Sequence, residues 1–220
     1  MDETAQPATD GTPQRQSMRQ VLAASLSGAA LEWYDFNLYG ISAALVFNKL
    51  FFPDVDPALG TLAALATFGV GFVLRPVGAL LFGHLGDRVG RKKCLIATML
   101  IIGGVTFLIG LLPDYGTIGV WAPILLVVLR LGQGLGLGGE SAGAALLTVE
   151  HAPRGSRGFW GSLPQTGGPI GYLIAVSVTS LFAALPEDQF LAWGWRVPFL
   201  LSAVLMVVGL LVRRTIRETP

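Results

Sequence analysis

Charge is scarce in this sequence. Of 220 residues only 13% are Asp, Glu, Lys or Arg, about half the share usual in soluble domains. A globule of this length has to cover its outside with polar side chains, and too few are present. That shortage excludes a water-soluble domain, a disordered chain and a nucleic-acid-binding protein. Cysteine occurs once, at Cys94, which excludes an intramolecular disulfide and a thiolate metal cluster. Histidine occurs twice, at His84 and His151, too far apart to imply a metal set. Residues 1–20 are polar and hold no apolar stretch with a cleavage site, so no removable leader is read there.

Apolar residues make up 52% of the chain and glycine is abundant, with 29 residues. The apolar residues fall into six runs of spanning length, near 21–47, 59–82, 94–112, 120–147, 159–185 and 197–212. Turn and charge signals separate them, such as Phe52-Pro53-Asp54, Pro113-Asp114-Tyr115-Gly116 and Pro186-Glu187-Asp188. If the runs alternate across a bilayer, 11 of the 15 basic residues share one side, Arg213, Arg214 and Arg217 among them. The other side has Lys49 and Arg196 beside several acids. The positive-inside rule then puts both termini in the cytoplasm of a cell-membrane protein. Residues 1–20 and 213–220 read as cytoplasmic tails around a membrane unit, 21–212.

Five ionisable side chains fall inside the runs: Glu32, Asp35, Arg75, Arg130 and Glu140. Each costs about 3 kcal/mol at a helix centre, so each needs a cavity, a partner or neutralisation. Glu32 and Asp35 are one helical turn apart. Two carboxylates this close in a low dielectric do not both ionise cheaply, so the pair can exchange a proton or hold a cation. Its other reading is a partner for a buried arginine. Arg130, Gln133 and Glu140 lie on the fourth run, Gln133 and Glu140 on one face and Arg130 a turn away. Arg130 can meet an anionic substrate, or form a structural pair with a carboxylate of the first run. Arg75 precedes Pro76, and a structural or gating role is favoured for it over substrate contact.

The glycine run 132–139 formally contains GxGxxG, but no strand precedes it, so a nucleotide site is not read. Close helix packing is the better reading, since Gly132/Gly136, Gly134/Gly138, Gly139/Gly143 and Gly167/Gly171 are each four apart. Pro164 and Pro169 are expected to kink the fifth run.

The connection after the second run reads Gly83-His84-Leu85-Gly86-Asp87-Arg88-Val89-Gly90-Arg91-Lys92-Lys93. Its glycines allow a tight turn, Asp87 can cap a helix or pair with arginine, and the basic cluster suits anionic headgroups. This ordered spacing resembles the signature loop of the major facilitator superfamily. Arg130-Leu131-Gly132-Gln133-Gly134-Leu135-Gly136 resembles that family's fourth-helix motif. The stretch 31–40 and Gly138-Gly139-Glu140 resemble one branch, the metabolite:H⁺ symporters.

The resemblance implies an all-α membrane protein, a six-transmembrane-helix bundle forming the N-terminal half of a twelve-span transporter. It implies proton-coupled symport of a small polar metabolite, an organic acid or a zwitterion, by alternating access. Glu32, Asp35, Arg130, Gln133 and Glu140 would then serve substrate binding and proton coupling. Gly83, Asp87, Arg88, Gly90, Arg91 and Lys92 would form the cytoplasmic gate motif. Partners would be the lipid bilayer, the metabolite, and a missing C-terminal six-helix half or a second copy. No cofactor beyond a proton gradient, no metal and no nucleic acid are expected. Alternatives are a six-helix homodimeric transporter and a non-transporting assembly or regulatory protein. No nucleophile–base pair or phosphate loop points to an enzyme.

Overall fold

The computed structural model describes residues 18–153 and 155–214. The expectations placed on residues 1–17, Arg154 and 215–220 lie outside the described residues. The described residues form helices and no strands. Helix α1, Met18–Ser42, runs through a π-helical turn, Ala43–Phe47, into α2, Asn48–Phe51. Asp56 caps the next helix by accepting from the Ala58 amide at 3.0 Å, and Pro57 takes its first position, where no donor is needed. That helix is α3, Pro57–Val73, and α4, Arg75–Val89, follows after the single residue Leu74. Next come α5, Arg91–Leu111, the short α6, Tyr115–Ile118, and α7, Trp121–His151. The last third holds α8, Arg157–Ser162, a 3₁₀ turn, Leu163–Thr166, and α9, Gly167–Ala183. It closes with α10, Glu187–Gln189, a π turn, Phe190–Gly194, and α11, Arg196–Arg214.

Among the described residues, five helical stretches are long and apolar enough to cross a membrane: Pro57–Val89, Arg91–Leu111, Trp121–Ser141, Arg157–Ala183 and Glu187–Arg214. The sixth expected run, the first in the chain, is present as helix as well. The first run is helical throughout but is not one of the five, and Glu32, Asp35 and Asn37 occupy its middle. It is packed against α7, α9 and α11, so those polar groups meet protein as well as the exterior.

The expected loop at 83–93 is also mostly helix. Gly83, Gly86, Asp87 and Arg88 continue α4, and α5 begins at Arg91. Gly90 alone makes the turn, at φ 109°, a conformation that favours glycine. In the fifth run Pro164 sits in the 3₁₀ turn, while Pro169 lies in the first turn of α9. The interruption therefore falls at the first of the two prolines.

Lipid tails are as apolar as helix faces, so helices associate in membranes through close packing and buried hydrogen bonds. Glycine supplies the packing. A Cβ on Gly134 would stand 2.1 Å from the Gly71 carbonyl oxygen, and one on Gly138 would stand 2.1 Å from the Arg75 carbonyl oxygen. Helix α7 thus meets α3 and α4 backbone to backbone. On its other side, a Cβ on Gly136 would stand 2.9 Å from Ile102 of α5. Gly167 and Gly171 do the same for α9 against α1. Gly132 differs, because its Cβ would find only a Val105 methyl carbon, at an ordinary 3.7 Å. Gly134→Ala is therefore expected to destabilise the bundle by about 1–3 kcal/mol through overpacking, whereas Gly132→Ala should be nearly neutral. Thermal unfolding of the two variants in detergent reads the difference; equal melting temperatures would contradict the packing argument.

The end of the bundle that carries Lys49 and Arg196 is closed by aromatic rings. Phe47, Phe51, Trp195 and Phe199 are buried and meet edge to face at 5.3–5.9 Å between centroids. Lys49 of α2 and Glu187 of α10 pair there at 2.5 Å.

Candidate functional site

Among the described residues, the acidic and basic side chains at Glu32, Asp35, Arg75, Arg130, Glu140 and Arg213 fall into three clusters. The first is centred on Asp35 of α1, which is 1% exposed. Its Oδ2 accepts from Thr106 Oγ1 of α5 at 2.5 Å and from Gln133 Nε2 of α7 at 2.6 Å. Its Oδ1 is buried without a hydrogen-bond partner. Arg130, one turn before Gln133, donates to the Gln133 amide oxygen. The amide group thus relays between cation and carboxylate, and no direct Arg130–Asp35 pair forms.

Arg130 is held on its faces by aromatics. Its guanidinium carbon lies 4.3 Å from the Tyr39 ring centroid and 4.9 Å from that of Phe68. Tyr39 is fixed in turn by a 2.7 Å hydrogen bond between its hydroxyl and Thr67. Gly71 leaves the room, since a Cβ there would stand 2.6 Å from Arg130 Nε. Tyr39 is therefore a support for the cation.

The second cluster is a buried ion pair. Glu140 of α7 and Arg213 of α11 face each other in a two-pronged contact, with Arg213 Nη1 donating to Glu140 Oε2 at 2.9 Å. Thr98 Oγ1 donates to the same oxygen at 2.9 Å, and Arg213 also donates to the Leu95 carbonyl. Gly28 of α1 makes the space, for a Cβ there would overlap both charged ends, at 2.0 Å and 2.1 Å. The sequence reading had put Arg213 among the topological charges of a cytoplasmic tail. At 2% exposed it belongs to the bundle interior.

The third cluster lies at a cavity of about 200 Å³ between α1, α7 and the α8–3₁₀ segment. Glu32, Trp33, Glu140, Ser141 and Gln165 are in its wall. Ser141 Oγ is 2.8 Å from both Glu32 carboxylate oxygens. Arg75 of α4 stands 3.6 Å from Glu32 Oε1, with its guanidinium carbon 4.8 Å from the Phe72 ring centroid.

The structure brings Asp35, Gln133 and Arg130 together and separates them from Glu32 and Glu140. Glu32 and Asp35 share a helix but have different partners. Thr106, Thr98, Ser141 and Arg213 complete the clusters and were not singled out from the sequence. A lone threonine in an apolar run carries no signal, because its hydroxyl can equally bond its own helix. The Ile102 carbonyl, 2.9 Å from Thr106 Oγ1, competes with Asp35 for its one proton here.

The gate motif spans the α4–α5 junction. Asp87 Oδ1 is 3.6 Å from Arg91 one turn ahead, and Arg91 also pairs with Glu150 on α7. Arg91 thus links α4, α5 and α7 at one end of the bundle. Lys92 Nζ donates to the Arg214 carbonyl at 3.2 Å. Gly83, Asp87 and Arg88 are exposed.

Known proteins resemble this chain closely. The family model described as "Sugar (and other) transporter" matches residues 20–220. The shikimate transporter of Escherichia coli K12 is 53% identical over 211 residues, covering 96% of this chain and 48% of that protein. The proline/betaine transporter of Salmonella typhimurium is 44% identical over 204 residues, covering 92% of this chain and 41% of its own length. The chain thus spans about half the length of the curated relatives it matches. The inward-open xylose transporter XylE from E. coli superposes with a TM-score of 0.77 at 19% identity, over 92% of this chain and 48% of that one.

Proposed function

The chain belongs to the sugar (and other) transporter family, within the major facilitator superfamily, and on that premise we propose that it serves proton-coupled symport of a small polar metabolite. It does so as the N-terminal half of a longer transporter, with the bundle from α1 to α11, Arg213 included, as the membrane unit. The second half is a C-terminal six-helix bundle on the same or a separate chain. The five apolar helical stretches and α1 make six crossings of the cell membrane, with both chain ends on the cytoplasmic side.

The observation that carries this reading is the Asp35–Gln133–Arg130 relay. A carboxylate is held at the centre of the bundle with one oxygen bound by two donors and the other unpartnered. A proton placed on Oδ1 leaves both hydrogen bonds to Oδ2 intact. Its arrival or departure changes the charge that Arg130 faces across Gln133. Arg130 touches α3 through Phe68 and α1 through Tyr39, so that change bears on how the helices pack. Asp35, Gln133 and Arg130 are the proton-coupling residues in this reading. Glu32 belongs to the solute, and Glu140 is a strut. The gate residues Asp87 and Arg91 brace the cytoplasmic ends of α4, α5 and α7.

The relatives' names indicate the solute class: a hydroxylated organic acid such as shikimate, or a zwitterion such as proline or betaine. Purified protein in vesicles with an inward proton gradient tests the reading. Radiolabelled shikimate or proline should accumulate, by the chain alone or after a separately produced C-terminal half is added. No accumulation in either case, with the helical fold intact, would favour a non-transporting membrane role.

A further inference from the structure

We infer that Arg75 and Glu32 take opposite ends of the solute, a carboxylate of the ligand on Arg75 and a donor group of the ligand on Glu32. The inference rests on the transport reading above and names the substrate contacts of that unit. Three observations carry it.

Of the two carboxylates in the cavity wall, Glu140 is fully engaged by Arg213 and Thr98. Glu32 is the carboxylate left with acceptor capacity, because Ser141 is its hydrogen-bonded partner and Arg75 stands off at 3.6 Å. The contrast between the two acids is the first observation.

Arg75 is the second. Buried arginines in this bundle donate hydrogen bonds: Arg130 to Gln133, Arg213 to Glu140. The guanidinium of Arg75 donates none among the described residues, and the side chain is 28% exposed. Phe72 and Phe36 hold its plane, with their centroids 4.8 Å and 5.9 Å away. Its fork of N–H groups is thus oriented, and beyond the 3.6 Å contact with Glu32 it has donors to spare. A planar carboxylate matches that fork with two parallel bonds.

The cavity is the third. At about 200 Å³ it is smaller than pockets for drug-sized ligands, roughly 300–1,000 Å³, so it suits a small solute. Trp33 offers an indole wall and Gln165 an amide beside Glu32, while Arg75 stands next to Glu32 just outside the wall, so a carboxylate reaches it only by passing Glu32. The ligand class is a small carboxylate whose far end carries hydroxyls or an ammonium. Docking splits the loose Glu32–Arg75 pair and returns a better partner to each side.

A cysteine-protection experiment tests this without requiring transport. Ala29 lines the cavity, whereas Cys94 lines a different one. With Cys94→Ser and Ala29→Cys, the rate of alkylation by N-ethylmaleimide is measured in vesicles against two matched pairs of probes: shikimate with its methyl ester, and proline with prolinamide. Only the acids should protect. Arg75→Gln should raise the half-protecting concentration roughly tenfold or more, the loss of a charge-assisted contact, and Arg75→Lys should restore part of it. Glu32→Gln separates the two solute types, since it should weaken proline strongly and shikimate little. Equal protection by ester and amide, no protection by either acid at millimolar concentration, or an unchanged value in Arg75→Gln would overturn the inference. Gradient-driven uptake with unaltered KM in Arg75→Gln would sink this site and leave the transport reading standing. Protection without uptake would do the reverse.

Discussion

Replacing Asp35 by asparagine is expected to abolish proton-driven accumulation while leaving the bundle folded. The physical reason lies in the two oxygens of Asp35. Oδ2 accepts from Thr106 and Gln133, and an asparagine oxygen placed there accepts the same two bonds. The amide nitrogen then falls where Oδ1 was, a buried position with no partner in the wild type. Shape and hydrogen bonds survive; the capacity to gain and lose a proton does not.

The size of the effect follows from the driving force. A gradient of one pH unit stores about 1.4 kcal/mol per proton, which supports at most about tenfold accumulation for one proton per solute. Asp35→Asn should therefore bring the steady-state ratio of inside to outside solute from near that ceiling down to about one. Exchange of labelled for unlabelled solute across vesicles with no gradient requires no net proton movement, so it should persist. The measurement is paired uptake and exchange in vesicles holding the complete transporter. Accumulation that still responds to the pH gradient in Asp35→Asn would remove Asp35 from the proton path. Arg130→Gln should fail in a different way, slowing exchange too, because it strips Tyr39 and Phe68 of the cation they enclose.

How much of this was visible in the sequence depends on whether a local rule or a long-range contact set it. Arg130 and Gln133 are three apart on one helix, so their contact was legible from spacing alone. The glycine pairs of α7 were legible as packing faces for the same reason. The direction each face turns was not, since Gly134 and Gly138 meet α3 and α4 while Gly136 meets α5. Glu32 and Asp35 looked like a coupled pair because sequence shows their proximity and hides their neighbours. Thr106 and Gln133 claim one, and Ser141 and Arg75 the other. The glycines at 83 and 86 suggested a loop by soluble-protein rules. In a membrane bundle glycine sits readily within helices, and only Gly90 turned the chain. Arg213 misled most. A basic residue at the end of an apolar run reads as a topological anchor, and nothing local reveals that Gly28, nearly two hundred residues earlier, leaves a space for it.

That space frames the second large expectation, which concerns stability. Breaking the Glu140–Arg213 pair from one side should destabilise the protein by about 3–5 kcal/mol, because the remaining charge is left buried without its partner. Arg213→Met strands the Glu140 carboxylate with Thr98 as its main donor. Glu140→Met strands the guanidinium against the Leu95 carbonyl. Replacing both should recover most of the loss, since two apolar side chains of similar length need no desolvation to be compensated. The double-mutant cycle, read by thermal or denaturant unfolding in detergent, should therefore be strongly non-additive. Additive losses would mean that the two groups act separately. The pair joins α7 to α11, with Thr98 and Leu95 of α5 and Gly28 of α1 closing around it, so four long helices meet at one contact. A methyl group at Gly28 tests the same contact from the outside. Gly28→Ala should cost as much as either single substitution in the wild type and far less in the double-methionine background. Flexible methionines can yield to a new Cβ, where a fixed ion pair 2.0 Å away cannot.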